Sequence, residues 1–269
     1  MSKVVKSADL TAWITANEYD EAVVVPPEPP VPEGDPIPLG VPAENYRLVF
    51  NENFNTLDSA IWNTNWLGAP GTITKPINSA ELAAFDPAQV SIDNDQLKFT
   101  AIDKPVTATD GKRYQYRSGI VESATRKEFT FGIFESRIFM DGPPNAVPYN
   151  WGAFWLNGHH NEWPDRIESD VMENMSGGPM PHFHSVTQQN KGFGASPLVN
   201  KSGWHTYAEK WTTKKREYWY DGALCGSVTY TDKDYPQYIV LNLGISTEQG
   251  GPLRVPSFML VDYCRVWQV

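Results

Sequence analysis

From Asn45 to the C-terminus the chain is a succession of short apolar runs, each closed off by Gly, Pro, Asn or Asp. Runs at 46–50, 96–102, 131–140, 216–222, 238–245 and 259–268 are rich in Val, Ile, Leu, Phe, Tyr and Trp, and several alternate apolar with polar residues. Side chains of a strand point to opposite faces in turn, so alternation over a short run marks a half-buried strand. A helical layer needs apolar residues three and four apart over a longer stretch. No convincing long pattern of that kind is present, and no βαβ rhythm or internal repeat. Many short strands in about 225 residues point to an all-β fold, a large two-sheet antiparallel β-sandwich or jelly roll.

The N-terminus differs. Residues 26–42 contain eight prolines; proline donates no backbone hydrogen bond and favours extended polyproline II, so this stretch reads as a semi-rigid linker. It separates a leader, 1–25, from a domain at 43–269. In the leader, Ser7 or Asp9 can cap a short helix carrying Leu10, Trp13 and Ile14 on one face. No apolar core follows its lysines, so it does not resemble an ordinary secretory signal.

The formal charge of −10 argues against a nucleic-acid partner, whose phosphates call for a basic surface. No apolar run reaches the roughly 18 residues of a membrane span. The chain carries 10 Trp, 12 Tyr and 12 Phe. Aromatic rings fill sandwich cores, and their faces also stack on sugar rings. Two cysteines, Cys225 and Cys264, are too few for a disulfide framework. One bridge or two buried thiols fit equally.

Chemistry concentrates in residues 151–178. Glu168, Asp170 and Glu173 are three acids within six residues. On a regular strand Glu168 and Asp170 share a face, whereas Glu173 would fall on the other. One extra residue in a β-bulge near Val171–Met172 turns Glu173 back beside them. Three carboxylates on one face repel one another, which suits catalysis or a hard cation better than a purely structural strand. Trp151, Trp155 and Trp163 flank the acids as candidate sugar platforms.

Trp163-Pro164, followed after three residues by Glu168-x-Asp170-x-x-Glu173, resembles the signature of glycoside hydrolase family 16 in its bulged, laminarinase-, agarase- and carrageenase-like form. Glu81-Leu82 and the segments 50–54, 116–121, 129–138, 151–156, 203–211, 218–222 and 261–268 resemble further elements of that family in the expected order. The resemblance implies a concanavalin-like jelly roll with a curved substrate cleft and an endo-acting retaining β-glycosidase. Its substrate would be a β-1,3-linked glucan or galactan. Glu168 would be the nucleophile, Glu173 the acid/base and Asp170 the supporting carboxylate, with Trp151, Trp155, Trp163 and His184 binding substrate. No cofactor is required. The family often binds a structural calcium, for which Asp262 matches one ligand position, although Glu52-Asn53 stands where another acid is usual.

Three departures bear on the site. Ser169 replaces the usual aliphatic residue, Arg166-Ile167 replaces a frequent small residue before the first Glu, and Gln188 stands where a second His often lies. Alternatives are a non-catalytic carbohydrate-binding protein or adhesin on the same sandwich, or a transglycosylase. An enzyme of external polysaccharide without a signal needs a route to its substrate. Residues 1–42 are accordingly expected to attach it to a particle such as a phage virion or tail, or to be the remnant of a truncated secreted protein.

Overall fold

The structure, a computed structural model, describes residues 36–158, 167–188, 191–193 and 196–269. The expectations for the leader, for the proline-rich stretch up to residue 35 and for Trp163 lie outside the described residues. The strands are β1 (Arg47–Glu52), β2 (Ala83–Phe85), β3 (Val90–Ile92), β4 (Leu97–Thr107), β5 (Arg113–Ser118), β6 (Ile120–Glu122), β7 (Glu128–Phe129), β8 (Gly132–Met140) and β9 (Trp151–Asn157). They continue as β10 (Glu168–Met175), β11 (Gly178–His184), β12 (Lys191–Gly192), β13 (Gly203–Thr212), β14 (Lys215–Tyr220), β15 (Ala223–Thr229), β16 (Gln237–Gly244) and β17 (Ser257–Gln268). Among the described residues the helical element is a single 3-10 turn, Pro87–Gln89, capped by the Asp86 side chain. No helix there is long and apolar enough to cross a membrane.

Two sheets result, as expected for a sandwich. The ten-stranded sheet runs β15-β14-β13-β8-β17-β4-β5-β2, with β1 on β17 and β3 on β4. The seven-stranded sheet runs β12-β11-β10-β9-β16-β6, with β7 on β16. Pairings are antiparallel except β2 with β5. The six apolar runs of the sequence all lie in strands, and the pleat decides which residues meet. β4 turns Leu97, Phe99 and Ala101 inward, β8 contributes Phe134, Ile138 and Met140, and β16 sends Ile239, Leu241 and Leu243 to the same interior. β16 is buried along its whole length because its other face is covered too. Tyr238 and Val240 pack there with Phe85, Ile120 and Trp155 beneath Trp66 and Ile77.

The compact unit runs Ile37–Val269, so the end of the proline-rich stretch belongs to it. Val41 packs with Ile133, Ala208 and Trp267 on the outer face of the ten-stranded sheet. The Leu39 amide donates to buried Glu135 at 2.7 Å. Cys225 and Cys264 are both free thiols, and burial raises both well above the ordinary range.

Candidate active site

The acids stand on β10, and its irregular register arranges them. Against β9, Asp170 pairs with Trp155 but the next pair is Met172 with Phe154. Against β11, Asp170 pairs with His182 and Glu173 with Met180. One extra residue is thus accommodated at Val171–Met172, and both of these side chains lie in the interior. The bulge inferred from the odd spacing of the acids is present. Glu168, Asp170 and Glu173 all face outward from the seven-stranded sheet, while Ser169 faces inward and is fully buried.

Each acid has its own surroundings. Glu173 Oε1 accepts a hydrogen bond from Trp151 Nε1 at 2.8 Å, and Glu173 Oε2 lies 2.8 Å from His182 Nδ1. Asp170 Oδ2 faces His184 Nε2 at 3.3 Å. Burial disfavours charge on both imidazoles, but the carboxylates outweigh it. Glu173 and Asp170 raise His182, while Asp170, Glu168 and Glu173 raise His184 to about 9. Two imidazoles therefore face three carboxylates, with His184 protonated at neutral pH.

A fourth carboxyl adjoins this group. Glu81 is 6% exposed, its Oε2 is buried without a hydrogen-bond partner, and a Cβ built on Gly244 would sit 3.4 Å from that oxygen and 3.2 Å from the Trp151 carbonyl. Burial, opposed by the Ile77 amide and reinforced by the charge of Glu173, raises Glu81 to about 8. It is thus mostly neutral at pH 7.

The flanking tryptophans divide. Trp151 is half-buried and touches Glu173 directly. Trp155 shares the face of the acids, yet it is only 4% exposed. Its Nε1 donates to Asn242 Oδ1 at 2.9 Å, and Trp66 covers its ring at 5.5 Å between centroids. The expected open platform at Trp155 meets a buried ring, and the more exposed indole of this pair is Trp66. His182 was missed by sequence reasoning. Its signal was the two-residue spacing from His184, which on a strand puts both rings on the face of the acids.

One group of side chains among the described residues is spaced to hold a cation: ligand atoms of Glu168, Asp170 and His184 lie within 4.8 Å of one another. An ion there would occupy the carboxylate expected to act as nucleophile, and protonated His184 already supplies a positive charge. Asp262, which matches one ligand position of the family's structural calcium, pairs with Arg137 Nη1 at 2.9 Å.

A two-sheet sandwich carrying paired glutamates on an outward face, with Trp151 and His182 against one of them, is the type of site that glycosidases use to cleave acetals. The model of the glycosyl hydrolases family 16 matches residues 80–264, and the chain belongs to that family. It is 27% identical over 251 residues to the endo-1,3-1,4-beta-glycanase EglC of Rhizobium meliloti (strain 1021), covering 82% of this chain and 51% of that protein. The chain spans about half the length of the curated relatives it matches. The fold is shared with the catalytic domain of an endo-1,3-beta-glucanase (laminarinase) from Thermotoga petrophila RKU-1, at a TM-score of 0.70 and 22% identity, covering 84% of this chain and 99% of that one. The endo-beta-1,3-glucanase of Pyrococcus furiosus gives 0.69 and 21%, covering 85% and 97%.

Proposed function

We propose that residues 37–269 form an endo-acting retaining β-glycosidase whose substrate is a β-1,3-linked or mixed β-1,3-1,4-linked glucan. The observation that carries this is the bulge at Val171–Met172, which brings Glu173 to the face of Glu168 and Asp170. The names of the relatives support the choice of glucan.

In this reading the Glu168 carboxylate attacks the anomeric carbon while Glu173 gives its proton to the departing glycosidic oxygen, leaving a glycosyl ester on Glu168. Water then loses a proton to Glu173 and attacks the same carbon, releasing a product with the original anomeric configuration. Trp151 holds one oxygen of Glu173, and His182 keeps a proton close to the other. Asp170 stands between the two glutamates, and the cation on His184 offsets part of the repulsion that three neighbouring carboxylates create. Trp66, beside this row, offers an indole face for a sugar ring. The proline-rich N-terminal segment serves as a tether that lets a larger assembly carry the domain to external polysaccharide.

The test is a pair of variants on laminarin and mixed-linkage glucan, with agarose and galactans alongside. Glu168→Ala is expected to lose turnover and to regain part of it with azide, giving a glycosyl azide of inverted configuration. Glu173→Ala is expected to spare substrates with good leaving groups, which need little protonation. Inverted anomers among the first wild-type products, or parent rates in both variants, would refute the reading.

A further inference from the structure

We infer that Glu209 and Arg216, an ion pair sealed between the two sheets, are positioning residues that hold Glu168 through the residues on either side of it. The inference rests on the assignment of Glu168 as nucleophile. Both groups are 0% exposed. Glu209 lies on β13 and Arg216 on β14, in the sheet opposite the acids.

Two arms connect the pair to the catalytic strand. In the first, Glu209 Oε2 accepts a hydrogen bond from the Ser169 hydroxyl, the side chain immediately after Glu168. Tyr218 Oη stands 2.7 Å from the same hydroxyl. In the second, Arg216 Nη2 donates to Gln237 Oε1 at 2.7 Å, and Gln237 Nε2 donates to the Ile167 carbonyl, immediately before Glu168, at 2.6 Å. Arg216 Nη1 closes the circuit on Glu209 Oε1, and the guanidinium stacks on the Trp211 ring at 3.9 Å. The residues before and after the nucleophile are therefore tied to one buried pair.

Stability alone does not account for such an arrangement. A buried ion pair loses its hydration, and well-packed apolar side chains of similar volume often serve the fold as well or better. The Ser169 hydroxyl would be unpaired in the core without Glu209 and Tyr218. A fixed β10 backbone at Glu168 has a clear chemical use, because displacing a reacting atom by about 1 Å can cost on the order of 100-fold in rate. Glu168 is the first residue of β10, where the ladder to β9 and β11 begins.

Three variants test this on the full chain with a soluble β-glucan. Ser169→Ala is expected to lower kcat by about 10- to 100-fold with KM nearly unchanged, and Ser169→Thr, which keeps the hydroxyl, to recover most of the rate. The combined Ser169→Val, Glu209→Leu, Arg216→Met variant leaves no buried charge unpaired. Gln237 Oε1 and Tyr218 Oη each lose a partner in it, so it is expected to fold cooperatively with a melting temperature near the parent's while kcat stays low, and it carries the test should the single variant not fold. In the azide-assisted reaction of Glu168→Ala, where the nucleophile diffuses in, adding Ser169→Ala should change the rate little. Parent kcat in Ser169→Ala or in the apolar variant would overturn the proposal. Parent activity in Glu168→Ala would instead overturn the assignment beneath it.

Discussion

Replacing Glu81 by Gln should stabilise the domain, and by an amount that grows with pH. The Glu81 carboxyl is buried against β9 and β16 with one oxygen unpaired, which holds it up at about 8. Between its ordinary value of 4.5 and about 8 the folded protein keeps a proton that the unfolded chain has released. Stability therefore falls as pH rises through that window. The contribution is whole below the ordinary value and lost once pH passes about 8. One pH unit corresponds to about 1.4 kcal/mol, so at pH 7 the full cost is about 3 kcal/mol, and relaxation around the site brings it to about 1.5–3 kcal/mol. Gln has nearly the shape of the neutral acid and can still accept from the Ile77 amide, but it has no proton to lose. For a domain of this size each kcal/mol moves Tm by about 2–4 °C. The Gln variant should melt roughly 3–12 °C above the parent at pH 7, with little difference at pH 4.5. Thermal melts of both proteins from pH 4.5 to 8.5 measure this, and other titrating groups cancel in the difference. A Tm difference that stays constant across the range would refute the reasoning. The same series in a Glu173→Gln background should give a smaller pH dependence, because the charge on Glu173 contributes to holding the proton.

Trp155→Ala removes a buried ring and should cost about 3–5 kcal/mol, whereas Trp66→Ala should leave a folded domain with weaker oligosaccharide binding; equal losses of Tm in the two variants would show that both rings are core. His184 is raised to about 9, so its stabilising contribution is whole below about 6.5 and lost as pH rises through about 9. His184→Gln should therefore lower stability by about 1–3 kcal/mol at pH 6, and a deficit unchanged at pH 10 would contradict this. A chain beginning at Ala43 loses the packing of Val41 on Trp267 and the Leu39 amide's bond to Glu135, both of which a chain beginning at Ile37 keeps. The longer truncation should cost about 2 kcal/mol or more, and equal melting of the two would show that residues 37–42 add nothing to the fold.

What could be read from the sequence was local. Strand alternation implies the sandwich, and the same alternation, failing between Asp170 and Glu173, places the bulge. His182 was legible by that rule too, since it stands two residues from His184 on the face of the acids. Trp155 shows where the rule stops. Pleating puts its ring on the face of the acids, but exposure depends on what lies above it. The covering indole, Trp66, is 89 residues away in the chain and reaches it through a loop whose path no periodicity encodes.

Ser169 shows the same limit at the interior face. In the sequence it stands only as a single departure from an aliphatic position. Its side chain points away from the face of the acids, and its meaning comes from Glu209 and Arg216, polar residues at inward positions of β13 and β14. Each of the three, taken alone, is an unfavourable core residue. A polar residue at an inward strand position is thus a request for a partner that one strand cannot name. Three such residues, on strands that topology brings face to face, supply one another's hydrogen bonds. Ser169, the neighbour of Glu168, is held by side chains 40 or more positions away, so the geometry at Glu168 is set by the packing of two sheets as well as by the motif that contains it.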